Sequence, residues 1–156
     1  MLSGMENYEE TLHAADLAAA APFTQTPRTP AWYPFTIATY LTTIFGAFLL
    51  VQEGRIIMGA GLLLLAVVVM LVMTFAVRAR WGTWPRMSAA PAEIKRAFAL
   101  YLLLAVTAIT VSVSAWLWLG PLAGLITLFL TALVVVWAYE FRLYPAAARQ
   151  VRQRLA

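Results

Sequence analysis

The chain has 156 residues, of which 63% are hydrophobic and 12% are charged, and its formal net charge is +4. Soluble domains are about 45–50% apolar and about 25% charged, so this composition excludes an ordinary water-soluble domain. The abundance of apolar side chains also excludes a disordered chain. Because the sequence has no cysteine, disulfide frameworks, thiolate zinc sites and iron–sulfur clusters are excluded too. These features are typical of an integral membrane protein.

Residues 1–32 precede the first apolar stretch and carry only acidic charge until Arg28. The acidic residues are Glu6, Glu9, Glu10 and Asp16. They exclude a secretory signal peptide, which begins with a basic region. Met5, Tyr8 and Leu12 recur at helical spacing and predict a short helix with a narrow apolar stripe. The prolines between positions 22 and 34 predict that an extended linker follows it.

Four apolar stretches follow, covering about residues 33–51, 56–77, 97–119 and 121–142. A helix needs roughly 20 residues to cross the hydrocarbon of a bilayer. Backbone polar groups cannot go unpaired in lipid, and the stretches lack the alternation of a transmembrane barrel. Residues 33–144 are therefore predicted to form an all-α integral membrane domain. Its four transmembrane helices make an up-and-down bundle of two helical hairpins.

The connections between the stretches predict the orientation. Two of them are short turns, at residues 52–55 and 119–121. The middle connection, residues 78–96, and the tail, residues 145–156, are both rich in arginine. Basic residues beside spans stay on the cytoplasmic side, so both termini are predicted to be cytoplasmic. Arginine outnumbers lysine ten to one. This bias is typical of a high-GC bacterial genome and predicts a bacterial plasma membrane.

Arginine and tryptophan near the cytoplasmic ends of the stretches predict contacts with anionic lipid head groups. The predicted head-group residues are Arg78, Arg80, Trp81, Trp84, Arg86, Arg149 and Arg152. At the C-terminal end, one side of a helix is lined by Leu143, Ala147, Val151 and Leu155 and the other by arginines, which predicts an amphipathic helix lying on anionic lipid. Arginine mixed with tryptophan also binds nucleic acid by stacking. Beside a span lipid is favoured, so no nucleic-acid partner is expected.

No acidic, basic or histidine residue lies in the interior of the four stretches. Such residues mark proton relays and ion pathways in membrane proteins. His13 is the only histidine and Asp16 the only aspartate, which excludes b-type haem, serine–histidine proteolysis and aspartate-clustered metal sites. No catalytic residue, cofactor or metal is predicted, and the chain is expected not to be an enzyme. Glu140 and Arg142, at an inner edge, are predicted to contact Arg78 or Arg80.

Hydroxyl-bearing and small residues recur at three- and four-residue spacing on the first, third and fourth stretches. They are Thr36, Thr39, Thr43, Gly46, Thr107, Thr110, Ser114, Gly124, Thr127 and Thr131. Such stripes are typical of close helix packing, in which hydroxyls bond across helices or to their own backbone. The other interpretation is a pathway for a small neutral or anionic solute.

The sequence favours a non-enzymatic membrane protein that acts by association, as a homo-oligomer or as an accessory subunit of a larger membrane complex. The alternative is a small uncoupled transporter or channel with a hydroxyl-lined pathway. The acidic leading segment and the basic tail are predicted to lie on one side of the membrane. They either dock on each other, within or between chains, or remain two independent helices. Docking would need Met5, Tyr8 and Leu12 to find an apolar surface.

Overall fold

A computed structural model describes residues 2–24, 29–81 and 87–155, with side chains from residue 11 onward except at 12, 13, 80 and 81. These ranges are 92% helix and contain no strand. The helices are α1 (Leu2–Thr24), α2 (Tyr33–Gln52), α3 (Ile56–Trp81), α4 (Ala92–Leu119), α5 (Pro121–Ala138) and α6 (Tyr144–Leu155). A short 3₁₀ turn, Met87–Ala89, precedes α4, and one π-helical turn, Tyr139–Leu143, joins α5 to α6.

Four helices, α2 to α5, are long and apolar enough to cross a membrane, which confirms that part of the prediction. Their limits agree with the predicted stretches except that α4 begins about five residues early, α3 ends about four residues late and α5 ends about four residues early. The sequence supports this longer start. Pro91 precedes the first turn, Glu93 lies within it where a negative charge suits the helix dipole, and Ile94 is fully buried.

Two glycines with positive φ end the first helix of each hairpin. Gly54 has φ 79° after α2, and its amide donates to the carbonyl of Val51. Gly120 has φ 95° and is the only residue between α4 and α5, where Pro121 starts the second helix. Glycine adopts this conformation without the steric cost that a Cβ atom brings, and proline is well suited to a first helical position.

The four long helices form an open layer in the order α3, α2, α5, α4. Helix α2 packs against α3 and α5, and α4 packs against α5. Among the described residues, the edge helices α3 and α4 do not form a closely packed pair. The two predicted hairpins are present, but they lie side by side rather than closing into a bundle. In lipid no hydrophobic force drives closure, because lipid tails are as apolar as the side chains.

Small residues allow the helices of each hairpin to approach closely. In α3, a Cβ atom on Gly59 would lie 2.8 Å from the carbonyl oxygen of Ala47. In α5, a Cβ atom on Gly124 would lie 2.6 Å from the Cβ atom of Trp116. Both distances are shorter than real Cβ contacts, so the backbones there are in direct contact with neighbouring helices.

The open layer leaves a large apolar surface uncovered. The accessible surface is 10848 Å². A compact monomer of this mass, 17.2 kDa, exposes about 7,800 Å². The outer side of α3 contributes strongly, with Ile57 89%, Leu64 68% and Phe75 68% exposed. This surface suits contact with lipid or with another protein.

Helix α1 is longer than predicted, because it continues through Pro22 to Thr24. Proline removes one backbone hydrogen bond from a helix and usually ends it. Here Phe23, just after the proline, is only 3% exposed, and the Thr24 hydroxyl donates to the carbonyl of Ala20 at 3.2 Å. Burial of Phe23 offsets the proline cost, so the first three residues of the predicted linker are helical, and residues 25–28 of that linker lie outside the described part of the structure.

Candidate functional site

The N- and C-terminal segments meet at one end of the layer, where α2 begins and α5 finishes; we call it the terminal end. A buried apolar cluster holds them together. Its residues are Ala20, Phe23, Ala90, Ile94, Ala147, Ala148 and Val151. They come from the last turn of α1, the residues just before and within α4, and one side of α6. We call this cluster the terminal junction.

The apolar side of α6 is occupied by protein. Val151 is fully buried and Ala147 is 5% exposed, on a helix that contacts α1 and α4. The prediction that this side rests on lipid is therefore wrong. It depended on amphipathicity alone, which shows that a face is covered but not by what. Arg149 and Arg152 remain exposed, so their contact with head groups stays a prediction.

A hydrogen bond fixes α1 to α6 beside the junction. The Tyr144 hydroxyl donates to the carbonyl of Phe23 at 2.9 Å. The last carbonyls of a helix have no partner within the helix, and this donor satisfies one of them. The two ends of the chain therefore dock on each other, through Ala20 and Phe23. The side chains of the three residues predicted to provide these contacts, Met5, Tyr8 and Leu12, lie outside the described part of the structure.

A carboxylate lies beside the junction in the π-helical turn. Glu140 is half-buried and accepts a hydrogen bond from the Thr29 hydroxyl. Tyr33, Tyr101 and Tyr139 lie close enough to interact with its charge. The extra residue of a π-helical turn changes the direction of the side chains that follow, and such turns are frequent at functional sites.

The described partners of Glu140 and Arg142 are not the predicted Arg78, and the side chain of Arg80, the other predicted partner, lies outside the described part of the structure. Glu140 faces Thr29, and the Arg142 guanidinium lies 5.6 Å from the centre of the Trp137 ring. That distance is within the range of a cation–π contact. Two residues apart, Glu140 and Arg142 lie on different sides of the chain.

A salt bridge fastens the end of α6 to the start of α4. Arg154 Nη1 lies 3.0 Å from Glu93 Oε1, while Glu93 Oε2 is buried with no hydrogen-bond partner among the described residues. Because the Arg154 side chain is 55% exposed, water weakens the pair and its contribution is small. The basic tail thus pairs with an acidic residue in the first turn of α4. The sequence analysis had included this residue, Glu93, in the connection of residues 78–96.

The hydroxyl stripes do not converge on one pathway within the described chain. On α4, Thr107, Thr110 and Ser114 are exposed, and each hydroxyl donates to the carbonyl four residues earlier. Thr39 on α2 is also exposed. Three further hydroxyls of the stripes also donate to the carbonyl four residues earlier, those of Thr36, Thr43 and Thr131.

Part of the stripes lies between helices. Gly46 approaches α5, where a Cβ atom on it would lie 3.5 Å from Leu125 Cδ2. Gly124 faces α4, and Thr131 lies 3.4 Å from Ser112. Thr127 is half-buried and accepts from Thr131 through its carbonyl.

Ser112 is the packing residue that the sequence reasoning missed. It is 2% exposed and lies where α4 meets α5, on the opposite side of α4 from the predicted stripe. The sequence feature that could have identified Ser112 is its four-residue spacing from the small residue Ala108. Trp116 follows at the same spacing on the same side of α4. Both sides of α4 carry small residues, so spacing alone could not select the packed side.

Besides Arg142 and Arg154, the terminal end carries further exposed basic side chains on α3, α4 and α6, and we call this set the basic face. They are Arg78, Lys95, Arg96, Arg149 and Arg152. Lys95 and Arg96 were not among the predicted head-group residues. Two of the predicted head-group residues, Arg80 and Trp81, lie on α3, but their side chains are outside the described part of the structure. Two others, Trp84 and Arg86, lie outside it altogether.

Across the described ranges, no three acidic or histidine side chains lie together in a way that could hold a metal ion. Comparisons with known protein families, with curated proteins and with solved structures found no match.

The hydrogen bond between Thr29 and Glu140 gives a testable energetic coupling. Replacing Thr29 by valine is expected to lower the free energy of unfolding by about 1–2 kcal/mol, because a half-buried carboxylate loses its hydroxyl donor. Thermal unfolding in detergent of Thr29→Val, Glu140→Ala and the double variant measures the coupling. Thr29→Ser keeps the hydroxyl and is expected to retain most of the stability. Strictly additive single effects would contradict the contact.

Proposed function

We propose that this chain is a multi-pass membrane protein that acts by association, as a homo-oligomer or as an accessory subunit of a larger membrane complex, and that it is not an enzyme. The observation that carries the proposal is the open layer. Each edge helix, α3 and α4, packs closely against one long helix only, among the residues described. An open layer with two uncovered edges is suited to extension by a further helix.

The α4 edge supports association with protein. Its exposed side carries Thr107, Thr110 and Ser114 among apolar residues. Lipid-facing positions need no small or hydroxyl-bearing residue, whereas such residues are enriched where membrane helices meet. A second copy placed against this edge by a twofold axis would bring the same side of α4 from both chains together.

The basic face supports a cytoplasmic position for the terminal end. Basic residues that flank spans are retained in the cytoplasm. We propose that both termini are cytoplasmic and that the chain resides in a bacterial plasma membrane.

Cysteine labelling tests this orientation without background, because the native chain has no cysteine. Cysteines at Glu53 and Leu119 are expected to react with an impermeant thiol reagent added to intact cells, and cysteines at Ser88 and Gln153 only after permeabilisation. Glu53 and Leu119 are preferred to Gly54 and Gly120, whose positive φ would strain a substituted residue. Reaction at Ser88 in intact cells would reverse the proposed orientation.

Mass measurement of the protein purified in mild detergent tests association. We expect a multiple of the 17.2 kDa chain, or a larger partner that co-purifies. Thr110→Trp, on the exposed side of α4, is expected to shift the distribution towards the single chain. Val134→Trp, on the exposed side of α5, is the matched control and is expected not to. A monomer that co-purifies with nothing would contradict the proposal.

The uncoupled transporter or channel remains the second candidate, supported by the same exposed hydroxyls. Because Thr107 and Thr110 face outward, their pathway would form between copies rather than inside one chain. Flux of small solutes into vesicles containing the protein tests it. A rate equal to that of empty liposomes would remove this candidate.

A further inference from the structure

We propose that the first part of α1 is an acidic arm that binds the basic face of a second copy. The arm comprises residues 2–19. This inference rests on the proposed function, since it names the partner and the surfaces through which copies associate. It also goes further, because association through the long helices alone would need neither surface.

The root of the arm is fixed. Ala20 is 4% exposed and Phe23 is 3% exposed within the terminal junction, and the Tyr144 hydroxyl holds the Phe23 carbonyl. These contacts join α1 to α6. The direction in which the arm leaves the body is therefore set by packing and by a hydrogen bond.

Over residues 14–19, directly before its root, the arm is uncovered by its own chain. Residues 14–19 are all exposed, including Leu17 at 45%. Eighteen helical residues extend for about 27 Å. A helix that is anchored at one end and bare over the adjoining turns has a surface free for a partner.

Charge complementarity identifies the partner surface. Helix α1 has four acidic residues and no basic one. The basic face has five exposed cations, and outside α1 the two described acidic side chains at this end already have partners, Glu93 in Arg154 and Glu140 in Thr29. Opposite surface charges steer association and orient the partners.

A second copy fits these surfaces better than lipid does. Anionic head groups attract the basic face, but they repel an acidic arm, so lipid satisfies only one of the two surfaces. Each copy brings one arm and one basic face to the same end. Two copies related by a twofold axis can therefore pair both surfaces at once.

Cross-linking between two differently tagged full-length copies tests the contact. One copy carries Leu17→Cys on the arm, and the other carries Gln150→Cys, an exposed position between Arg149 and Arg152. Mild oxidation is expected to join the two tags in one band. In the control, the second copy carries Leu119→Cys, at the opposite end of the layer, instead of Gln150→Cys. This pair is expected to give at least tenfold less cross-linked product. Product equal to that of the control would overturn the inference.

Charge variants separate recognition from chance encounter. Neutralising the arm, with Glu6→Gln, Glu9→Gln, Glu10→Gln and Asp16→Asn, is expected to lower the cross-link yield about tenfold. The double variant Arg149→Glu, Arg152→Glu is expected to lower the yield by a similar factor. Combining it with a copy whose arm carries Glu6→Lys, Glu9→Lys, Glu10→Lys and Asp16→Lys is expected to restore the yield, because both charges are then reversed. The yield of the native pair should fall as salt rises, because exposed charges are screened. Unchanged yields in the charge variants would overturn the inference.

Mass measured on the same samples distinguishes the two proposals. Oligomers that persist without the cross-link would refute the arm contact and leave the proposed function intact. A single chain with no partner would refute both. Binding of the protein to vesicles containing phosphatidylglycerol, lost in the Arg149→Glu, Arg152→Glu variant and accompanied by no cross-link, would assign the basic face to lipid and overturn the inference.

Discussion

Replacing Gly124 by alanine is expected to lower the free energy of unfolding by about 1–3 kcal/mol, as overpacking does in closely packed cores. The added Cβ atom would lie 2.6 Å from the Cβ atom and 3.1 Å from the Cα atom of Trp116. These are atoms close to the backbone, so a change of side-chain rotamer cannot relieve the clash. Helices α4 and α5 must move apart, which also separates Ser112 from Thr131.

Gly61→Ala in α3 is the matched control, because a Cβ atom there meets nothing within 4 Å. Alanine is favoured over glycine in a helix interior by up to about 1 kcal/mol, so this variant is expected to be neutral or slightly more stable. Thermal unfolding of both variants in one detergent provides the comparison. Equal midpoints would show that α4 and α5 are not in close contact at Gly124.

The four long helices were predictable because their signal is local. Length and apolar composition alone identify a helix that can span a bilayer. The turns carry equally local signals, as the single glycine before Pro121 shows. The helix ends at the two short turns therefore followed from a few adjacent residues. The ends of α3 and α5 differ by about four residues from the predicted ones, and burial of Ile94 at the terminal junction extends the start of α4.

The order of the helices was not predictable in the same way. Small residues occur on both sides of α4, with Ser112 on one and Ser114 on the other. In a membrane either side can face lipid or protein, so periodicity does not choose between them. The contacts of Trp116 with Gly124 and of Ser112 with Thr131 select the side that meets α5.

The terminal junction depends on contacts between residues far apart in the chain. Phe23 and Tyr144 are separated by 121 residues, and Thr29 and Glu140 by 111. Charge suggested that the two ends meet, and the described contacts that join them are made by Ala20 and Phe23, because exposed ion pairs contribute little beside a buried aromatic ring. The predicted contacts of Met5, Tyr8 and Leu12 stay predictions, since their side chains lie outside the described part of the structure. A phenylalanine directly after Pro22, in a segment otherwise rich in alanine, was the available signal.

The terminal junction connects the two proposed modes of association, one through the long helices and one through the acidic arm. The long helices present edges on which further helices can pack, and the junction holds α1 at the terminal end, where the basic face lies. If α1 were loose, its acidic residues would still be attracted to basic surfaces but without a fixed direction. The anchoring of α1 is therefore the step on which the specificity of the proposed contact depends.

Phe23→Ala is expected to release α1 while leaving the layer of long helices folded. Truncating a buried phenylalanine costs about 3–5 kcal/mol in a closed core. The junction covers Phe23 almost completely, so a loss of about 3 kcal/mol is expected, equal to more than 100-fold in the equilibrium between docked and released α1. Tyr144→Phe keeps the ring but removes the hydroxyl that donates to the Phe23 carbonyl, and it is expected to cost about 0.5–1.5 kcal/mol, an effect of about tenfold or less.

Amide hydrogen exchange in detergent measures this release residue by residue, because exchange follows local opening when the rest of the protein stays folded. In Phe23→Ala the amides near the C-terminal end of α1 are expected to exchange much faster, while those of α5 keep their protection. Leu17→Ala, on the same helix but at a position 45% exposed, is the control and is expected to change neither. Equal protection of α1 in Phe23→Ala and in Leu17→Ala would mean that the buried ring does not hold the helix.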